Sequence, residues 1–513
     1  MPEEFLKKLK EHTKSEWKLA FISAAVIGLL THMYVFTNML PNHDGLTNIY
    51  NTQLKFQSGR FFLGPLSGIS SFFDLPWVNG IVAIFYLALM TVIVVELFEI
   101  RKTVSIILTA GLIVTFPTVS ATFSYMFTAD GYMAGNLLAV VAILLTKKYR
   151  FGFIPASLIF YISVGVYQAN LPLLLMFIAV WLIRELLFTD LSIVALTRYM
   201  IRFVSMTVIG MGLYALTFKG YQHFFSGKIT DYQGLDQIGQ SSGSVTDQLM
   251  KINDSFLAFF FRGFLTDAPV NVFELLNIGL FMTLVFMIVW SLVRNKLYTQ
   301  ISRMLMLVVC VGSLPILTYM LYFVSPGVEY HMLMVMSLVT VYLLPIIFYD
   351  RIEFPSFLAN TYSWSVVVLS VMTIFNFAII SNIAYFNMSL KYERSYATVN
   401  RMLDRMEQTE GYEQATQIAV IGYLSMKTEL SSVKVADNIP SMTGAMGDTF
   451  LFQPYHYEYM LANQFGKKLN RVDEEELAVL RASDTVREMD SWPASDSIKV
   501  VEDTLIIKLS PQF

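Results

Sequence analysis

Apolar runs of roughly 18 to 24 residues recur along most of the chain, each long enough to cross a bilayer core of about 30 Å as a helix. Such a chain does not fold as one water-soluble globule, because hydrocarbon requires each spanning segment to satisfy its own backbone polar groups. Composition agrees: 55% of the 513 residues are hydrophobic and 15% are charged, against about 25% charged in soluble domains. The expected class is an α-helical polytopic membrane protein. One cysteine, Cys310, is present, which excludes an intramolecular disulfide and a multi-cysteine metal cluster. A net charge of −3 offers no argument for nucleic acid as a partner.

Spans are expected at 18–39, 77–98, 103–121, 127–146, 152–167, 170–188, 197–218, 270–293, 302–324, 328–349 and 362–384, eleven in all. Lys and Arg should collect on the cytoplasmic side. With the N-terminus inside, 17 of them fall in the cytoplasmic set, including Lys14, Arg101, Lys147, Arg184, Arg303 and Arg351, and 6 fall outside. An odd span count then places everything after residue 384 outside the cell. The segment ahead of the first span is expected to hold no cleavable signal, and Leu6, Leu9 and Trp17 suggest an interfacial amphipathic helix there.

Residues 1–384 carry a charge of +3 and residues 385–513 a charge of −6, so a soluble domain is expected to follow the membrane part. Its pattern predicts a small α/β unit. The expected elements are a helix over Ser395–Gln408, a strand over Gln417–Ile421, helices over Tyr457–Phe465 and Glu474–Met489, and a terminal strand pair in SIKVVEDTLIIKL. Two outer loops of the membrane part, 40–76 and 219–269, are long and hold aromatic runs too short to span, which suggests work done on the outer face.

Ionisable groups near membrane depth are functional candidates by default. In Asn42-His43-Asp44-Gly45, Gly45 permits a tight turn that would hold Asp44 inward; a water-facing loop at a helix end is the alternative. Asp130 of Thr128-Ala129-Asp130-Gly131-Tyr132 is either a site carboxylate or a complement to its helix N-terminus. Arg60 of Gln57-Ser58-Gly59-Arg60-Phe61 offers a fork suited to phosphate or carboxylate, or else anchors the interface beside Phe61 and Phe62. In Glu329-Tyr330-His331, His331 is a base, a ligand or a structural histidine. Tyr167-Gln168-Ala169-Asn170 supplies amides of the kind that hold sugar hydroxyls, or forms a polar turn.

Taken in order, NHDG after the first span, the S-G-R-F motif with its aromatic loop, FTADGYM, SVGVYQANLP and NIAYFNMSLKYERSYATVNRMLDRME resemble the Gtr-type membrane glucosyltransferases, the serotype-converting family of bacteria and their phages. The resemblance implies a GT-C-like bundle in the plasma membrane whose catalytic carboxylate sits in the first outer loop. It implies a sugar taken from a polyprenyl-phosphate donor, with Asp44 as base and Asp130 as a second acidic residue. On that basis Arg60, Arg262 and Lys55 would face the donor phosphate. Asn42, His43, Tyr132, Tyr167, Gln168, Glu329 and His331 would bind sugar or acceptor. No metal or other cofactor is expected. The sequence departs from the expected pattern around Glu329 and His331, where a basic residue toward the donor phosphate is lacking. The function read from this is hexose transfer, glucose foremost, to a cell-surface glycan. The rival is a transporter or flippase for a lipid-linked or small polar substrate, and a third class is a non-catalytic membrane scaffold; transfer of labelled sugar by purified protein separates them.

Overall fold

The computed structural model describes residues 2–4, 11, 13–47, 55–70, 73–225, 244–325, 327–352, 356–428, 442, 444–446 and 450–510. Leu6 and Leu9 of the proposed interfacial helix lie outside the described residues. The chain divides into two units, one of residues 1–38, 54–382 and 434–441, the other of 39–53, 383–433 and 442–513.

The first unit is helical. Among the described residues, eight helices are long and apolar enough to cross a membrane: Ser15–Thr37, Pro76–Phe98, Met126–Lys148, Asn170–Phe188, Ile193–Phe224, Val272–Arg294, Ile301–Thr318 and Phe357–Gln408. A bent pair, Thr103–Thr115 and Pro117–Phe123, makes nine if it counts as one span. The 40° bend falls where Pro117 removes a backbone donor and forces Phe116 out of the helical region, to φ −54° and ψ 136°. Phe153–Val166 and the segment Met336–Asp350 are shorter. At 1.5 Å per residue they reach about 21 to 23 Å, less than a bilayer core. The span count supported by length is therefore eight or nine, with two further apolar helices at expected positions that fall short. Exposed apolar side chains such as Leu30, Val208, Val309 and Phe375 form surfaces suited to lipid rather than water.

The two ends of this unit differ in chemistry. At one end Glu99, left-handed at φ 54°, accepts Lys147 Nζ at 3.0 Å and Arg184 Nη2 at 2.6 Å, with Arg351 Nη2 at 3.5 Å. Arg303 joins them by donating to the Glu185 carbonyl at 3.1 Å, and Lys14 pairs with Glu96 at 2.7 Å. Basic residues that the charge rule assigns to one side thus gather at one end. Tyr132 lies on the same helix as Lys147, about 22 Å further along its axis, and marks the opposite end.

The second unit is α/β. Its sheet runs β2-β1-β4-β3, with β1 (Gln417–Ile421) parallel to β2 (Asn470–Arg471) and to β4 (Thr504–Lys508), and β3 (Ile498–Val501) antiparallel to β4. Alternation along β1 supplies both faces. Ile418 and Val420 pack with Met402, Met406, Tyr457 and Met460, whereas Ala419 and Ile421 pack with Val472, Leu477, Val486 and Met489. Buried Lys508 is satisfied by donating to the carbonyls of Val486, Arg487 and Met489 at 2.8, 3.2 and 2.6 Å. The helix expected over Glu474–Met489 breaks into Glu474–Ala482 and Asp484–Glu488, because the Ser483 hydroxyl caps the second piece by accepting from Val486 N. The helix expected over Ser395–Gln408 is the end of the 52-residue Phe357–Gln408 helix, whose residues up to 382 belong to the first unit. Of the described residues, 39–47 join the second unit: Leu46 enters its core, and Asn463 Nδ2 donates to the Leu46 carbonyl at 3.0 Å.

Candidate active site

Gly59 makes the turn that places Arg60. Its φ is +72°, and a Cβ there would lie 2.3 Å from the Tyr214 hydroxyl, so the left-handed conformation and the close approach both require glycine. The turn closes through Gly59 N to Phe56 O at 3.0 Å and Arg60 N to Lys55 O at 2.7 Å. Gln168 Nε2 holds it from outside, donating to Ser58 O at 2.7 Å and to the Tyr214 hydroxyl at 2.9 Å. Both amide hydrogens of Gln168 are thereby engaged. Phe62 N donates to Gly165 O at 2.9 Å, tying the S-G-R-F segment to the end of the Phe153–Val166 helix.

From this turn Arg60 Nη1 donates to the Tyr132 hydroxyl at 3.1 Å, and its guanidinium lies 5.2 Å from the centroid of the Tyr167 ring. Tyr132 and Tyr167 meet edge to face at 4.9 Å. His331 is within electrostatic reach of Arg60 and Glu329. Arg60, Tyr132, Tyr167 and Gln168, drawn from three separate stretches of sequence, therefore form one cluster, with His331 in its electrostatic surroundings. Lys55, at the start of the turn, is buried, and burial pushes its ammonium down to about 8.

Asp130 is completely buried, near the start of the Met126–Lys148 helix. Asn79 Nδ2 donates to its Oδ1 at 3.3 Å and to Ser70 Oγ at 3.0 Å, and the Ser67 hydroxyl and the Gly131 N–H also interact with the buried carboxylate. The next residue, Gly131, leaves room for Ser67, whose Oγ would lie 2.1 Å from an added Cβ. Asp74, rather than Asp130, serves the helix start, accepting from Phe127 N at 2.9 Å. The Asp130 carboxylate is thus enclosed by Asn79, Ser67 and the amides of Asp130 and Gly131 in its own helix. Asn79, Ser67 and Ser70 were not singled out from the sequence, although an asparagine one turn inside a span is a signal of the kind that flagged Asp130.

Asp44 belongs to the second unit. The expected tight turn at Gly45 is instead a short helix, His43–Thr47, because Asn42 caps it: Asn42 Oδ1 accepts from Gly45 N at 2.8 Å, and Leu46 N donates to Asn42 O at 3.1 Å. The Asp44 side chain is 42% exposed, and His43 Nε2 stands 3.8 Å from its Oδ1. The His43 ring packs 5.3 Å from Phe452 and 6.1 Å from His456. Burial, with His43 adding, pushes His456 down to about 3, so the pair carries no charge from His456 at neutral pH. Tyr455 is within electrostatic reach of Asp44.

The family model for glucosyl transferase GtrII matches residues 33–349, more than half of the chain. The chain belongs to this family. The GtrII match contains Asp44, Arg60, Asp130, Tyr132, Tyr167, Gln168, Glu329 and His331, and it ends before the last span and most of the second unit. No curated protein and no solved structure matches the chain. Arg262 lies near the end of the Val245–Leu265 helix in the second long loop, a helix started by a Ser244/Asp247 capping box and kinked at Phe261. Within the GtrII stretch Tyr330, not weighed separately in the sequence, accepts from Leu321 N at 3.1 Å and packs on Tyr319 and Tyr322 at 4.8 and 4.9 Å, fixing the segment that carries Glu329 and His331.

Proposed function

We propose that this GtrII-family protein transfers glucose from a polyprenyl-phosphate donor to a cell-surface glycan on the outer face of the bacterial plasma membrane, with inversion at the anomeric carbon. Asp44 takes the proton of the acceptor hydroxyl while that oxygen bonds to the anomeric carbon. The bond from that carbon to the lipid-phosphate oxygen breaks, and its electron pair leaves with the phosphate, whose charge Arg60, Lys55 and Arg262 stabilise. Asp130, with Asn79 beside it, orients a sugar hydroxyl. A resident metal is not required by this scheme, since phosphate is a good leaving group and cationic side chains answer its charge.

The observation that carries the reading is the Arg60 guanidinium, set on a glycine-dependent turn against Tyr132 and Tyr167 within a stretch matching a glucosyltransferase family. The test is transfer of radiolabelled glucose from defined polyprenyl phosphates to the surface polysaccharide by purified protein in nanodiscs. Asp44→Asn keeps size but cannot accept a proton, and turnover should fall about 10² to 10⁴-fold. Movement of the donor across the bilayer without formation of a glycosidic bond would establish the flippase reading instead.

A further inference from the structure

A cavity of about 400 Å³ opens in the second unit between the Pro454–Phe465 helix, β1, the end of β2 and the Glu474–Ala482 helix. It is lined by β1 at Ala419 and Val420, by Leu477, Tyr455, Glu458 and Arg481, and by Arg471 and Glu474, which are both exposed. Two wall atoms, Glu458 Oε1 and Arg481 Nε, are buried without a hydrogen-bond partner. Buried polar atoms in native proteins are nearly all paired, so two on one cavity mark where the polar atoms of a ligand complete them.

The geometry points to this cavity as a binding site for a neutral saccharide, the acceptor glycan of the transfer reaction. Two carboxyl groups, Glu458 and Glu474, and two guanidiniums, Arg471 and Arg481, line it together, so the cavity offers donors and acceptors side by side rather than a single sign of charge. Carboxylate and guanidinium groups both bond pairs of neighbouring hydroxyls, and the Tyr455 ring gives the C–H face of a pyranose an apolar surface. The volume lies within the usual range for small-molecule sites. Burial, aided by Glu474 and opposed by Arg471, raises Glu458 to about 7, so it can donate as well as accept near neutrality, as hydroxyl recognition requires.

Position supports the assignment. Tyr455 is within electrostatic reach of Arg471 in the cavity and of Asp44, and the helix it begins also holds the Asp44 segment through Asn463 and Leu46. A glycan seated in the cavity would extend past Tyr455 toward the carboxylate proposed as base. The acceptor role rests on the reaction proposed above; the saccharide site itself does not.

Full-length protein in nanodiscs is probed by saturation-transfer NMR with a panel of neutral hexose and deoxyhexose di- to tetrasaccharides. Members of the panel should bind, and Glu458→Gln and Arg481→Met should each weaken binding about tenfold, the loss of one charge-assisted hydrogen bond. Glu474→Trp, a surface change that fills the mouth, should abolish it and keeps the test decisive if either interior variant lowers Tm. In the transfer assay the same variants should raise acceptor KM about tenfold and leave donor KM unchanged. Absence of binding across the panel, or binding and acceptor KM indifferent to all three variants, overturns the proposal. Saccharide binding that the variants weaken, in a protein that transfers no sugar, would keep the site and remove the reaction.

Discussion

Replacing Arg60 by lysine keeps the positive charge and removes the geometry that the structure builds around it. The guanidinium donates to Tyr132 at 3.1 Å and faces the Tyr167 ring at 5.2 Å; an ammonium cannot hold both and still present a planar fork to a phosphate. A hydrogen bond to a charged group is worth about 1.5 to 3 kcal/mol, which at about 1.4 kcal/mol per decade corresponds to roughly a 10- to 150-fold rise in donor KM for Arg60→Lys. Arg60→Ala, losing the charge as well, should be worse. Tyr132→Phe leaves the charge and the Tyr167 contact in place and should cost about 2- to 10-fold, the range of an ordinary hydrogen bond. The assay is initial rate against polyprenyl-phosphate glucose at saturating acceptor, with Tm measured on each variant. A donor KM for Arg60→Ala equal to that of the parent protein would show that Arg60 anchors the loop and does not meet the donor phosphate.

Asp130→Asn should lower kcat/KM roughly tenfold or more, as for a lost charge-assisted hydrogen bond, with Tm little changed because Asn79 can flip to pair with an amide; unchanged kinetics would make Asp130 a purely structural residue. Gly59→Ala should cost about 2 to 4 kcal/mol from the left-handed backbone and the clash with Tyr214 together, read as a fall in Tm and a rise in donor KM, and an unchanged Tm would contradict the turn. A cysteine at exposed Asn470 should be labelled by an impermeant maleimide in intact cells, against low background because Cys310 is buried; labelling only after lysis would reverse the orientation.

What could be read from the sequence was whatever local pattern determines. β1 appears at its expected bounds and the terminal strand pair forms the β3–β4 hairpin, because alternation and a turn are properties of a few consecutive residues. The break at Pro117 and the stop at Ser483 were equally local and readable from a proline rule and a cap, but long apolar or helical stretches concealed them. The union of residues 39–47 with a core hundreds of residues away was not readable, since no short pattern around NHDG specifies Leu46 as a core residue. The same holds for the Arg60 cluster: S-G-R-F, FTADGYM and VYQAN were each visible, yet their meeting depends on helix packing. Gln168 looked like a sugar ligand in isolation, and the structure engages its amide hydrogens in holding the turn under Arg60.

The hydrogen bond from Asn463 to the Leu46 carbonyl closes a loop of 417 residues, and that span sets a clock on the ribosome. At roughly 5 to 20 residues per second, Leu46 emerges about 20 to 80 s before the helix that will receive it has been synthesised. During that interval the helical bundle can insert span by span while the Asp44 segment waits without its core. A chain interrupted before Asn463 would carry the Arg60 turn and Asp130 yet lack much of the core that receives Leu46.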